Sequence, residues 1–110
     1  KDKFLMSGFM LHLYKIIIIN LILEIDPQNA VAHHDMGVVL GKTGKLKESE
    51  EYILRSIALD PNYTKAHLTL ASLYMDQKPP ALDLARSNYE KAKTLGAEPD
   101  LLLERRLTSP

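Results

Sequence analysis

The residues best suited to metal or acid–base chemistry are four histidines, two of which, His33 and His34, are adjacent. Neighbouring side chains on a helix diverge by about 100°, so the adjacent pair does not converge on one ion. Neither has an acidic or histidine partner at i+4 to complete a ligand set. The chain has no cysteine, which removes disulfides, thiolate metal ligands and thiol nucleophiles. Gly41-Lys42-Thr43-Gly44 has the composition of a phosphate loop, but it lacks the upstream glycine spacing and the strand that should precede it. No serine sits in a nucleophile motif. These residue types point to no enzyme, no metal and no cofactor.

What would position such residues is a repeat. Asp26-Pro27 returns 34 residues later as Asp60-Pro61, and the match spreads to Ile25 with Leu59, Ala32 with Ala66, and His33 with His67. A period of this size marks stacked helical units, each burying its apolar face on the next. Val31, Met36, Val39 and Leu40 follow helical spacing over residues 30–43, and Gly44 stands where a helix stop is expected. A second helix is expected over 46–59, with Tyr52, Ile53 and Ile57 on one side and Glu48, Glu50, Glu51 and Arg55 mostly on the other. Asp60-Pro61-Asn62 ends it, because proline in a helix interior loses a hydrogen bond and clashes with the preceding turn. The pattern then repeats as a helix over 64–76, a turn at Pro79-Pro80, and a helix over 81–95 closed by Gly96. Pro99 suits the first turn of a short last helix reaching residue 107, whose Leu101, Leu102, Leu103 and Leu107 are expected to cover the last apolar face. Upstream, residues 12–25 read as the second helix of a preceding unit, since Leu23-Glu24-Ile25-Asp26-Pro27 parallels Ile57-Ala58-Leu59-Asp60-Pro61. Residues 1–11 hold too little chain for a full partner helix and turn.

From about residue 14 to 95 the chain resembles the tetratricopeptide repeat family. Unit 30–63 fills the family's signature positions with Met36, Gly37, Leu40, Ser49, Ile53, Ser56 and Pro61, and departs at His33. Unit 64–97 offers Leu70, Ala71 and Tyr74, then Ala85, Tyr89 and Ala92, with two extra residues lengthening its turn around Lys78-Pro79-Pro80. Residues 1–29 are a partial unit or an apolar helix, and 98–110 a capping helix with its tail. The resemblance implies an all-α fold of antiparallel helix-turn-helix repeats stacked as a short right-handed solenoid. It also implies a non-enzymatic adaptor or scaffold, in which the first helix of each unit lines a concave groove that holds a peptide or helix of another protein. On the matching face lie Val31, His34, Val38 and Lys42, then Lys65, Leu68, Ser72 and Met75. Val38, Leu68 and Met75 are expected to form an apolar floor, and Lys42 and Lys65 to pair with acidic side chains. A subset of the family clamps the terminal carboxylate of chaperone tails; here Asp35 and Thr69 occupy the corresponding positions, and an aspartate repels a carboxylate. Read without the family, Gly37, Ala71, Ser49 and Ala85 let helix backbones approach while Tyr74, Ile53 and Tyr89 fill the space beside them. The recurrence of His33 as His67 suggests packing between successive inner helices.

The 110 residues suit one domain with a thin, layered core. Lys plus Arg, 14, balances Asp plus Glu, 14, so no basic patch points to nucleic acid or to an anionic membrane. The chain begins at Lys1 rather than methionine, as expected of a processed product or an excised piece. Residues 4–23 are its most apolar stretch, but His12 and Lys15 interrupt it and Glu24 and Asp26 close it, which favours a packed helix over a membrane span. In that helix Leu13, Tyr14, Ile17 and Leu21 occupy positions that face solvent in an ordinary repeat. Residues 4–11 folding back, a second copy of the chain, an upstream repeat or a membrane could cover them. The alternative to an adaptor is therefore a self-assembling structural protein that forms a homo-oligomer through its apolar first helix.

Overall fold

The computed structural model describes residues 8–108, and every regular element among them is an α-helix. The six helices are α1 (Gly8–Ile25), α2 (Ala30–Lys42), α3 (Leu46–Leu59), α4 (Thr64–Asp76), α5 (Leu82–Thr94) and α6 (Leu101–Thr108). Each packs on its neighbours in chain order, α2 with α3 and α4 with α5 forming the tightest pairs, and the contact of α2 with α4 aligns the first helices of the two units. The result is an elongated all-α repeat stack of 43 × 33 × 23 Å.

Local chemistry sets the helix ends. Asn29 caps α2 by accepting from the Ala32 amide at 2.9 Å, which satisfies one of the donors a helix start leaves free. At the other end Gly44 adopts φ +86°, and the amides of Gly44 and Lys45 reach back to the carbonyls of Gly41 and Leu40. Gly96, at φ +104°, closes α5 in the same way, with Gly96 and Ala97 bonding to Lys93 and Ala92. This left-handed closure favours glycine because it has no Cβ to clash.

The 34-residue period reappears in the turn hydrogen bonds. Asn29 N donates to Asp26 O as Tyr63 N donates to Asp60 O. His33 Nε2 meets the Pro27 carbonyl at 3.0 Å, and His67 Nε2 meets the Pro61 carbonyl at 2.9 Å. A carbonyl only accepts, so both rings carry their proton on Nε2. Through this bond each histidine ties its helix to the turn before it.

Two buried clusters form the core. Met36, Val39, Leu40, Ala32 and Ile19 join α1 to α2, while Ile53, Leu70, Ala71, Leu73, Tyr74, Ala85 and Tyr89 join α3, α4 and α5. Gly37 is the point of closest approach inside the first pair. A Cβ there would stand 2.8 Å from Ile53 Cγ1 and 3.1 Å from the Ser49 carbonyl oxygen, and the Ser49 hydroxyl donates to the Gly37 carbonyl at 2.6 Å. The Tyr74 hydroxyl bonds Glu50 at 2.7 Å; burial first, then that carboxylate, push its pKa up to about 12, so it stays a donor that pins α4 to α3.

The last helix caps the stack with half of its leucines. Leu103 and Leu107 are buried, whereas Leu101 and Leu102 are 76% and 73% exposed. The reason is register: Asp100 caps α6 through the Leu103 amide, Tyr89 bonds Glu104 at 2.6 Å, and these anchors turn only the 103/107 stripe inward. The first helix also differs from its expected span. α1 starts at Gly8 and runs unbroken, so residues 8–11 extend the helix and do not fold back over it; residues 4–7 lie outside the described residues.

Candidate protein-binding face

The eight residues singled out from the sequence lie on α2 and α4, and the structure divides them. Val31, Lys42 and Lys65 are exposed, and Val38, Leu68 and Ser72 are partly buried. His34 and Met75 are each only 6% exposed, so neither is presented to a ligand as the sequence suggested. For Met75 the cause is register. Its counterpart one unit earlier is Gly41, which faces Ser49 and Leu73 in the interior, whereas the counterpart of Lys42 is Asp76. Met75 therefore turns into the core formed by α3, α4 and α5.

His34 fills the seam between the two helices. Its Nε2 lies 2.8 Å from Thr69 Oγ1 and its Nδ1 3.3 Å from Asp35 Oδ1, while the Tyr63 ring stands edge-on at 5.2 Å. Asp35 requires a proton on Nδ1, so the Thr69 hydroxyl donates to Nε2 and the neutral ring uses both nitrogens. Burial lowers the His34 pKa from its ordinary 6.5; the Asp35 carboxylate partly offsets this and Lys65 adds to it. The sign follows from linkage: below about pH 6.5 the unfolded chain takes up a proton that the folded ring resists, so stability is lost as pH falls. The melting temperature is expected to drop between pH 7 and pH 5, and less steeply in His34→Gln than in the parent chain. Thr69→Val leaves Nε2 without its donor and is expected to cost about 1–3 kcal/mol in denaturant unfolding.

A cleft of about 300 Å³ opens along this seam, and it brings Val38, Lys42 and Ser72 together with Gly41, Thr69 and Asp76. Val31, Lys65 and Leu68 lie outside it. Thr69 and Asp76 escaped the sequence reading as site residues, although the period could have found them: Asp76 follows Lys42, and Thr69 follows Asp35, by one unit of 34. Lys42 and Asp76 both line the cleft, Asp76 being paired with Arg106 at 3.0 Å, while Asp35 and Lys65 both act on His34. Among the described residues no group of three or more His, Cys, Asp or Glu side chains could hold a metal ion.

No protein-family profile matches the chain. It is 32% identical over 53 residues to a TPR repeat-containing thioredoxin, TTL4, of Arabidopsis thaliana. The match covers 48% of this chain and 8% of that protein. The likeness is to a tetratricopeptide-containing protein, and it agrees with the helical repeat seen here; without cysteine this chain has no thiol for thiol–disulfide chemistry.

Proposed function

We propose that the chain is a protein-interaction module whose α2–α4 face holds a peptide or amphipathic helix of another protein. The observation that carries this reading is the open seam between two repeat-equivalent helices, with Val38, Ser72 and Lys42 lining its cleft, and Leu68, partly exposed, and Lys65, exposed, on α4 outside it. A ligand helix placing apolar residues at i, i+3 and i+4 would cover Val38 and Leu68. Acidic residues flanking that stripe would meet Lys42 and Lys65, while Asp35 and Asp76 would reject a ligand acidic along its whole length. The partial likeness to a repeat protein supports binding as the class of activity.

The test is selection from a displayed library of random peptides against the immobilised chain. Enriched peptides are expected to share an apolar stripe with an acidic flank. Leu68→Glu should lose at least tenfold in affinity for them, the equivalent of about 1.4 kcal/mol. Lys42→Glu with Lys65→Glu, at exposed positions that leave the helical circular dichroism intact, should invert the preference for the flank. Enrichment that ignores all three changes would place the binding surface elsewhere and refute the reading.

A further inference from the structure

α1 stands where the second helix of a preceding unit belongs, and the seat beside it is open. One unit later the equivalent seat is filled by α2: Ile53 is fully buried against Gly37, and the Ser49 and Ser56 hydroxyls donate to the carbonyls of Gly37 and Ala30 at 2.6 and 2.7 Å. Shifted back by 34 residues, Ile53 becomes Ile19, Ser49 becomes Lys15 and Ser56 becomes Ile22. Beside them, between α1 and α2, lies an apolar groove of about 540 Å³ walled by Leu11, Tyr14, Ile18, Ile22, Val38 and Val39.

Two differences show that this seat does not fit an ordinary inner helix. The small hydroxyl anchors that draw such a helix close are replaced by a long cation and a β-branched aliphatic, which hold a neighbour at the distance of interdigitating large side chains. Residues 8–11, which fall where the loop after α2 falls one unit later, are helical, so no short turn reverses the chain at that point. A helix rich in large apolar side chains would fit the seat.

α1 is such a helix, and it has more apolar surface than one neighbour can cover. Beside the strip facing the groove, and sharing Tyr14 with it, runs another through Ile17 and Leu21, also exposed. We propose that the groove between α1 and α2 seats α1 of a second copy of this chain in an antiparallel, two-fold pair. In that arrangement each α1 uses one strip against its mate and the other against the mate's α2, so the same patch serves both copies. The antiparallel sense brings Glu24 and Asp26 of one copy to the N-terminal turn of the other helix, where the helix dipole favours carboxylates. Leu11, Tyr14, Ile17, Ile18, Leu21 and Ile22 are 39% to 65% exposed, so covering both strips in both copies would remove on the order of 1,000 Å² from water, at the low end of the range for specific pairs.

The experiment is light scattering on the eluting protein across micromolar concentrations, with cross-linking in the cysteine-free chain. Twice the chain mass is expected. Ile18→Lys with Ile22→Lys should halve it while the spectrum stays helical; Val38 borders both the groove and the α2–α4 seam, so peptide capture by the resulting monomer is expected to be retained or enhanced. Leu11→Cys mixed with Ile22→Cys should yield a disulfide-linked pair, whereas Leu84→Cys, exposed on α5, should not. A monomer at every concentration, a mass unmoved by the two lysines, or Leu11→Cys linking to itself would each overturn the proposal. α1, 18 residues long with a mean hydropathy of 1.7, is also long and apolar enough to cross a membrane. Flotation of a monomeric chain with phosphatidylcholine vesicles would therefore assign the patch to lipid instead.

Discussion

Replacing Gly37 with leucine is expected to destabilise the chain by about 3 kcal/mol, the upper part of the range for overpacked interiors. The first added carbon would stand 2.5 Å from Ile53 Cδ1 and 3.1 Å from the Ser49 carbonyl oxygen. The isoleucine tip can rotate away, but the backbone oxygen moves only if α2 and α3 separate. Separation would also stretch the 2.6 Å bond from Ser49 Oγ to the Gly37 carbonyl. Small domains hold only about 5–15 kcal/mol in total, so the urea midpoint should fall clearly with the slope unchanged. Gly41→Ala gives the control. Its Cβ would stand 3.2 Å from the movable Ser49 hydroxyl oxygen, so a much smaller loss is expected there. Equal losses at the two positions would mean that α2 and α3 do not approach at Gly37.

Ile53→Ala is expected to cost about 2–5 kcal/mol, since it deletes a side chain with no exposure and leaves a cavity between α2, α3 and α4. Because Ile53 is the group that the Gly37 substitution strikes, the two changes should not add. In Gly37→Leu with Ile53→Ala the new leucine can occupy the vacated space, so the double change should cost less than the sum by on the order of 1 kcal/mol or more. Strict additivity would show that the two residues are not in contact. The pair thus tests the packing of the unit without any ligand.

The helices were legible because their signals are local. Gly44 and Gly96 end helices wherever they occur after a periodic apolar run, and Asp60-Pro61 cannot be crossed by one. The spans expected at 46–59 and 64–76 coincide with α3 and α4. Gly37 and Ser49 were also readable as a close approach, since glycine and serine facing each other within a helix pair have few other uses. The candidate face was legible only in outline. Choosing Met75 as the partner of Lys42 broke the 34-residue register by one position, and one position turns a helical side chain by about 100°. Asp76, the true counterpart, entered the cleft unpredicted.

Helix content, helix limits, the period and the pairing of neighbours follow from the order of the residues, because each rests on interactions within one unit or between one unit and the next. The roles of single side chains depend on contacts between elements that no local pattern encodes. His34 looked like a groove residue until Thr69, 35 positions away, took its Nε2 and closed it into the seam. Leu101 and Leu102 looked like a lid until Tyr89 and Asp100 set the rotation of α6 and left them outside. Residues 4–11 were a candidate cover for the first helix, but 8–11 are the first turn of α1 itself, and the groove beside Ile19 is open. In each case a few tenths of a helical turn separate a buried side chain from an exposed one, and packing between helices sets that rotation.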